Sequence, residues 1–148
     1  MSDSGLLVQA SAVSIGGRGL MIEGTPGSGK SSLALALLDR GAQLIGDDGV
    51  RLQLEDGELV ACPPPNITGK LEIRGVGIVD VTPCRAPLCL ILSLADHAAR
   101  LPDPLEQRDM LGIAIPVLPF QASDPIQALR AEWALAVHGR PITKPLSH

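Results

Sequence analysis

Residues 24–31 constrain this chain more than any other segment, because they match the phosphate-loop pattern G-x-x-x-x-G-K-[ST] in full. Such a loop turns backbone N–H groups toward a phosphate chain and uses glycines to let the backbone come close. It adds a lysine for the terminal phosphates and a hydroxyl for Mg²⁺. The pattern therefore predicts a nucleotide site made by Gly24, Thr25, Pro26, Gly27, Ser28, Gly29, Lys30 and Ser31.

The segments on either side of the loop have the order that such a site needs. Residues 19–23 form a short apolar run typical of a buried strand, and residues 31–40 show helical periodicity that ends at Gly41. Residues 6–15, which end before two glycines, predict a hairpin that leads into the loop. This context favours a phosphate site over a glycine-rich turn that matches by chance.

Length and composition predict one globular domain over residues 1–148, with residues 140–148 as a loose tail. Hydrophobic residues make up 45% of the chain and charged residues 19%, as in folded proteins. The net charge of −4, one Trp, one Phe and no Tyr provide neither the basic surface nor the stacking aromatics of a nucleic-acid-binding protein. The three cysteines, Cys62, Cys84 and Cys89, lack CxxC spacing, so we expect buried reduced thiols rather than a metal or redox site.

The sequence shows no feature typical of a membrane or secreted protein. The most apolar stretch, residues 87–94, is much shorter than the roughly 20 residues of a membrane span. Residues 1–5 contain no basic residue ahead of an apolar run. We expect a cytoplasmic protein that binds neither membranes nor nucleic acid.

The rest of the sequence predicts further strands and one more helix. The strands are expected at 42–46, 51–54, 58–61, 71–80, 88–94 and 110–118. A two-residue turn at Asp56-Gly57 joins the second and third of these strands. Asp124 and Pro125 mark the start of a helix that ends at Gly139. Its apolar residues form a stripe: Ile126, Leu129, Trp133, Ala134 and Val137.

Three groups of acidic residues could ligate Mg²⁺ or take a proton from an acceptor, which are the needs of a phosphate-loop kinase. Asp47 and Asp48 follow the strand after the loop helix and would lie beside the loop if that strand neighbours the first one. Asp96 follows the most apolar strand, as an ordinary Walker B aspartate does. Glu72 lies inside a predicted strand, where a carboxylate is costly without a cation. A turn at Asp47-Asp48, a cap at Asp96 and an ion pair between Glu72 and Arg74 are the alternatives.

Three segments together resemble the catalytic domain of HPr kinase/phosphorylase: residues 24–31, residues 40–48 (R-G-A-Q-L-I-G-D-D) and residues 71–81 (L-E-I-R-G-V-G-I-V-D-V). The resemblance covers nearly the whole chain and is to the short, single-domain form found in alphaproteobacteria. That family phosphorylates a serine of HPr, a small phosphocarrier of the bacterial sugar phosphotransferase system, and can also remove the phosphate. The resemblance implies an ATP- and Mg²⁺-dependent protein serine kinase, HPr or an HPr-like carrier as partner, and a homo-oligomer, hexameric in the family.

The resemblance also implies a fold and residue roles. The fold would be α/β, similar to the P-loop nucleotide-binding domain of phosphoenolpyruvate carboxykinase, with a mixed sheet. Lys30 would hold the β- and γ-phosphates, Ser31 would ligate Mg²⁺, and Glu72 would be a second metal-linked ligand. Asp48 matches the catalytic aspartate, with Asp47 as its supporting partner.

Other positions matter for the direction of the reaction. Arg100 falls where the family has a catalytic arginine, whose guanidinium could neutralise the transferred phosphoryl charge. Gln9 stands where the family has an active-site histidine, and a glutamine can hydrogen-bond but cannot titrate. Residues 121–124 do not resemble the basic stretch linked to the reverse reaction. We therefore expect kinase activity with weak or absent reverse activity.

Two other functions remain open from the sequence. One is a different phosphate-loop NTPase or small-molecule kinase that uses Asp96 as its Walker B residue. The other is a nucleotide-sensing binding module that kept the loop but lost catalysis with the change to Gln9.

Overall fold

Eleven strands and two helices account for the regular structure of residues 5–65, 69–95 and 101–142, the part of the chain that this computed structural model describes. In chain order they are β1 (Leu6–Val8), β2 (Ser11–Ile15), β3 (Arg18–Glu23), α1 (Lys30–Asp39), β4 (Gln43–Gly46), β5 (Val50–Glu55), β6 (Glu58–Cys62), β7 (Lys70–Ile73), β8 (Gly77–Asp80), β9 (Ala86–Leu94), β10 (Glu106–Met110), β11 (Ile113–Phe120) and α2 (Gln127–His138). Neither helix has the length and apolar character to cross a membrane, and no other helix occurs in these ranges.

The main sheet is mixed, as expected. Its strand order is β1-β5-β6-β9-β3-β2-β4, and β10 and β11 join it at β9. β9 pairs in parallel with β3 and β11, whereas its other neighbour, β6, is antiparallel. The first residues of β9 pair with β6 and the last four pair with β11, so the sheet branches and curls at this strand.

The direction of the strands brings three loops to one edge of this sheet. β3, β9 and β11 are parallel, and β4 runs the same way because β2 is antiparallel to both β3 and β4. The segments that follow β3, β4 and β11 therefore meet at the carboxyl ends of the strands, where α/β proteins bind ligands. β4 is not a neighbour of β3, because β2 lies between them. The Asp47-Asp48 pair nevertheless lies at this edge, because β4 runs in the same direction as β3.

Hydrophobic clusters cover both faces of the sheet. Along β3, Leu20 and Ile22 face the cluster that contains α1 and α2, while Met21 between them faces the other cluster. In α1, Leu33 and Leu37 are fully buried against the first face. The helix thus holds the phosphate loop against the sheet, as its apolar periodicity predicts.

The prediction of a single strand at residues 71–80 is wrong. This segment is a hairpin, β7–β8, which forms a two-stranded sheet of its own. Gly75 in the turn has a φ of +81°, a conformation that glycine adopts readily. Glu72 is exposed, so burial does not force it to pair, and it makes no ion pair with Arg74 in the described part of the chain.

The predicted strand at residues 110–118 is also wrong, because a turn at Leu111-Gly112 divides it. The residues before the turn belong to β10, which pairs with β11 as an antiparallel hairpin. By contrast, the hairpin at Asp56-Gly57 is confirmed. Both of its turn residues have positive φ, +51° and +82°, as the tight turn between right-twisted strands requires.

The second helix ends at Gly139 as predicted, but of its predicted stripe only Ala134 packs on the core. Asp124 accepts the N–H of Ile126 at 2.9 Å in the turn before the helix, and α2 itself begins at Gln127. The buried side of α2 consists of three alanines and Leu135, whose small side chains let the helix lie close to its neighbours. Four stripe residues are exposed, with relative exposures of 38–65%: Ile126, Leu129, Trp133 and Val137.

Arg140, the first residue of the expected loose tail, is hydrogen-bonded to the sheet. The N–H of Arg140 donates to the carbonyl of Cys89 at 2.9 Å, and its guanidinium donates to the buried carboxylate of Glu58 at 2.6 Å. Arg18 in turn donates to the Arg140 carbonyl at 3.1 Å. Residues 143–148 lie outside the described part of the chain.

Candidate active site

The loop between β3 and α1 requires glycine at several positions. Gly27 and Gly29 have φ values of +80° and +105°, where other residues are strained. A Cβ at Gly24 would lie only 2.5 Å from the Ser28 hydroxyl oxygen. The glycines thus let the loop close tightly while its backbone stays open to a ligand.

Polar groups of this loop fit a phosphate chain. The Lys30 ammonium donates to the carbonyls of Gly24 at 2.9 Å and Thr25 at 3.2 Å, so it lies across the loop. The Ser28 hydroxyl is buried and has no hydrogen-bond partner among the described residues. Because an unpaired buried hydroxyl is costly, this atom fits a site that a ligand oxygen completes.

The carboxylate of Asp47 joins three separate elements of the fold. Its Oδ1 accepts hydrogen bonds from the hydroxyls of Ser31, at 2.7 Å, and Ser11, at 3.1 Å. Its Oδ2 accepts the backbone N–H of Glu72 at 3.2 Å. The first turn of α1, the start of β2 and the hairpin strand β7 therefore meet at one side chain.

Asp48 differs from Asp47 in its backbone conformation, its hydrogen bonds and its exposure. It has a φ of +62°, a left-handed conformation that aspartate tolerates better than most residues. Its N–H donates weakly to the Ser11 hydroxyl at 3.5 Å, and its side chain is exposed. Its carboxylate makes no hydrogen bond within the described part of the chain. Asp47 is thus held by three donors, whereas Asp48 is open to an incoming group.

Comparison with known proteins agrees with this geometry. A family model described as the HPr Serine kinase C-terminal domain matches residues 4–84, more than half of the chain. This chain belongs to that family. HPr kinase/phosphorylase from Clostridium botulinum (strain Eklund 17B / Type B) is 47% identical over 70 residues, covering 47% of this chain and 23% of that protein. The protein of the same description from Exiguobacterium sibiricum is 50% identical over 70 residues, covering 47% and 22%.

The structural similarity extends over most of the fold. The structure of the Hpr(Ser) kinase/phosphatase from Coxiella burnetii matches with a TM-score of 0.75 at 28% identity, covering 88% of this chain and 89% of that one. The mixed, curled sheet is therefore the fold of the HPr serine kinase C-terminal domain family. The curated relatives are much longer proteins, since the match spans less than a quarter of their length.

The site residues predicted from the sequence can now be placed in this fold. Some of them lie close together, and others fall outside the described residues. Lys30, Ser31, Asp47 and Asp48 lie together at the phosphate-loop edge of the sheet. Glu72 reaches this group through its backbone N–H, and its carboxylate remains exposed. Asp96 and Arg100 lie outside the described residues.

Possible metal ligands and cysteines elsewhere in the described residues are scattered. Within the described ranges, no group of three or more His, Cys, Asp or Glu side chains comes together as a metal site. A Mg²⁺ ion at Ser31 would therefore take most of its oxygens from water and phosphate, as is usual for this ion. The three cysteines form no disulfide with one another; Cys62 and Cys89 are buried and Cys84 is partly buried, and burial raises the pKa of each thiol.

Sequence reasoning missed three residues near the site. Ser11 is fully buried and binds both aspartates, but a serine in an apolar strand carries no signal of that role. Glu23, just before the loop, accepts two hydrogen bonds from Arg108 at 2.6 and 3.0 Å. These bonds raise the pKa of Arg108 and fasten β10 to the end of β3. Ser123 lies across from Gly29, where a Cβ would be 3.5 Å from its hydroxyl.

Replacing Ser11 by alanine is expected to lower turnover about tenfold with a smaller effect on nucleotide affinity. The substitution removes one donor to Asp47 and the acceptor for the Asp48 N–H, and a lost hydrogen bond to a charged group costs about 1.5–3 kcal/mol. Steady-state kinetics and nucleotide binding check this result. Ser11→Thr should retain most activity, and Ser14→Ala, a buried serine on the same strand, is the control. Equal losses in the variants of Ser11 and Ser14 would contradict the role given to Ser11.

Proposed function

We propose that this chain is an ATP- and Mg²⁺-dependent protein serine kinase that acts on HPr or an HPr-like phosphocarrier. The observation that carries the proposal is the double contact of Asp47, with Ser31 of the phosphate loop and with the N–H of Glu72 in the L-E-I-R-G motif. The segments that carry the resemblance thus converge at one carboxylate. Names of the matched relatives, HPr kinase/phosphorylase and Hpr(Ser) kinase/phosphatase, support the same acceptor.

Each residue has a distinct task in this proposal. Lys30 holds the β- and γ-phosphates, and Ser31 and Glu72 hold Mg²⁺, which supplies charge neutralisation on the phosphates when bound. Asp47 orients the Ser31 hydroxyl. Asp48 takes the proton from the acceptor serine as its oxygen attacks the γ-phosphorus, so that ADP leaves and phosphoserine forms. Positioning and charge are most of what such a transfer requires.

The remaining attributes follow from the resemblance. Arg100 neutralises charge on the transferred group, the fold is similar in detail to the nucleotide domain of phosphoenolpyruvate carboxykinase, and the protein acts in the cytoplasm. Because Gln9 cannot carry a proton, the reverse reaction is weak or absent.

The deciding experiment incubates the purified protein with an HPr-like carrier, Mg²⁺ and γ-labelled ATP, and maps the label. Label on one carrier serine, lost when that serine is replaced by alanine, is the expected result. Hydrolysis of ATP without transfer would instead favour an NTPase, and binding without turnover would favour a nucleotide sensor. The phosphorylated carrier, incubated with inorganic phosphate, should release little pyrophosphate.

We also propose a homo-oligomer in which α2 contributes to the contact between copies. Leu129, Trp133 and Val137 of α2 are exposed on one face, with Ile126 just before the helix, and exposed apolar stripes of this kind commonly mark protein interfaces. Trp133→Glu combined with Val137→Glu is expected to lower the mass measured by light scattering. Leu35→Glu, at an exposed leucine of α1, is the control. An unchanged mass in the double variant would place the contact elsewhere.

A further inference from the structure

A cavity of about 270 Å³ lies beside the aspartate pair. Gln9, Asp47 and Asp48 form its polar side. Asp47 is also the residue that binds Ser31 of the phosphate loop at 2.7 Å. One carboxylate therefore borders both the nucleotide site and the cavity, so a group that enters the cavity comes next to the end of the phosphate chain.

The other walls of the cavity are apolar and stiff. They are formed by Leu7 and Val8 of the edge strand β1 and by Pro64 and Pro65. Leu7 is 61% exposed and belongs to neither hydrophobic cluster, so its side chain is not explained by the stability of the fold. Prolines fix their own backbone and keep such a wall in place before a ligand arrives.

The size of the cavity restricts what can occupy it. Pockets for complete small molecules usually measure about 300–1,000 Å³, and a cavity of about 150 Å³ accommodates benzene. A volume of about 270 Å³ is therefore suited to one or two side chains. An occupant this small is best held if it belongs to a larger molecule that docks around it.

We infer that this cavity receives an apolar side chain adjacent to the acceptor serine of the protein substrate, and that Leu7 is a specificity-determining residue. The inference rests on the proposed kinase function. The serine hydroxyl would lie at Asp48, and the neighbouring apolar side chain would cover Leu7 and pack against the two prolines. Gln9 would meet the backbone of the same segment, since its amide can both donate and accept. The pocket thus selects a serine in an apolar context over a serine among charged residues.

Leu7→Asp is expected to raise the KM for the carrier about tenfold, because covering a leucine contributes strongly to binding. The turnover number and the affinity for an ATP analogue should stay within about twofold, since Leu7 is an apolar residue of β1 that takes no part in proton transfer and lies outside the phosphate loop. Leu6→Asp is the matched control, because Leu6 is the neighbouring residue of β1, is 40% exposed and does not line the cavity. Leu7→Ala should give a smaller increase in KM and serves if the aspartate variant folds poorly.

The carrier supplies the second half of the test. Replacing its apolar residue next to the acceptor serine by aspartate should raise KM with the wild-type kinase, and the effects of the two substitutions should be less than additive. An unaltered KM for Leu7→Asp, or equal shifts for Leu6→Asp and Leu7→Asp, would overturn this inference alone. No transfer by the wild-type protein, despite ATP binding, would overturn the proposed function and this inference with it.

Discussion

Replacing Asp48 by asparagine is expected to slow phosphoryl transfer by about 10²–10⁴-fold while Mg·ATP still binds. Asparagine keeps the shape of the side chain but cannot accept the proton of the acceptor hydroxyl. Because the loss occurs in the transition state, turnover should fall and nucleotide affinity should remain near that of the wild type. Single-turnover transfer to the carrier and equilibrium binding of an ATP analogue measure the two quantities separately.

The neighbouring aspartate is the sharpest control for this result. Asp47→Asn weakens the hydrogen bonds to Ser31 and Ser11, so it should raise the Mg²⁺ concentration needed for half-maximal activity. Asp96→Asn should have a mild effect. If Asp96→Asn abolished transfer and Asp48→Asn left it intact, the Walker B alternative would replace the present assignment.

Lys30→Ala is expected to weaken Mg·ATP binding about 100-fold or more, because charge-assisted hydrogen bonds to phosphate are lost. The Lys30 side chain bonds only to two loop carbonyls in the described part of the chain, so thermal unfolding should change little. Calorimetric or fluorescence titration with an ATP analogue gives the affinity.

Lys70→Ala provides the comparison for Lys30→Ala. Lys70 is an exposed lysine of β7 that pairs with Asp80 and makes no hydrogen bond to the phosphate loop in the described part of the chain. Its loss should leave nucleotide affinity unchanged. If Lys30→Ala bound the ATP analogue with wild-type affinity, the assignment of residues 24–31 as a nucleotide site would be wrong.

Local signals predicted the fold well where turn chemistry is explicit. The phosphate loop, the ends of α1 and the Asp56-Gly57 hairpin are each specified by a few residues that are close together in the sequence. The β7–β8 hairpin escaped prediction because its turn lies inside an apolar run that reads as one strand. In the same way, the alanine side of α2 was hidden by larger apolar residues on the exposed side.

For the site, the sequence predicted which residues take part but not the contacts between them. The loop residues could be read from the sequence, and the resemblance singled out Asp47, Asp48 and Glu72. Their contacts could not be read, because Ser11 reaches both aspartates only when β2 lies between β3 and β4. Pairing between strands distant in sequence decides such contacts, and no short pattern encodes it.

The ion pair between Arg140 and Glu58 connects the segment after α2 to a buried position in the sheet. The Glu58 side chain is only 2% exposed, so removal of the Arg140 cation beside it is expected to destabilise the fold. A force applied to the segment after α2 would therefore be transmitted through Arg140 to β6, β9 and the start of β3. For attachment to a surface or fusion to another protein, Arg140 and Ile142 belong to the folded domain, so a linker should be joined after them.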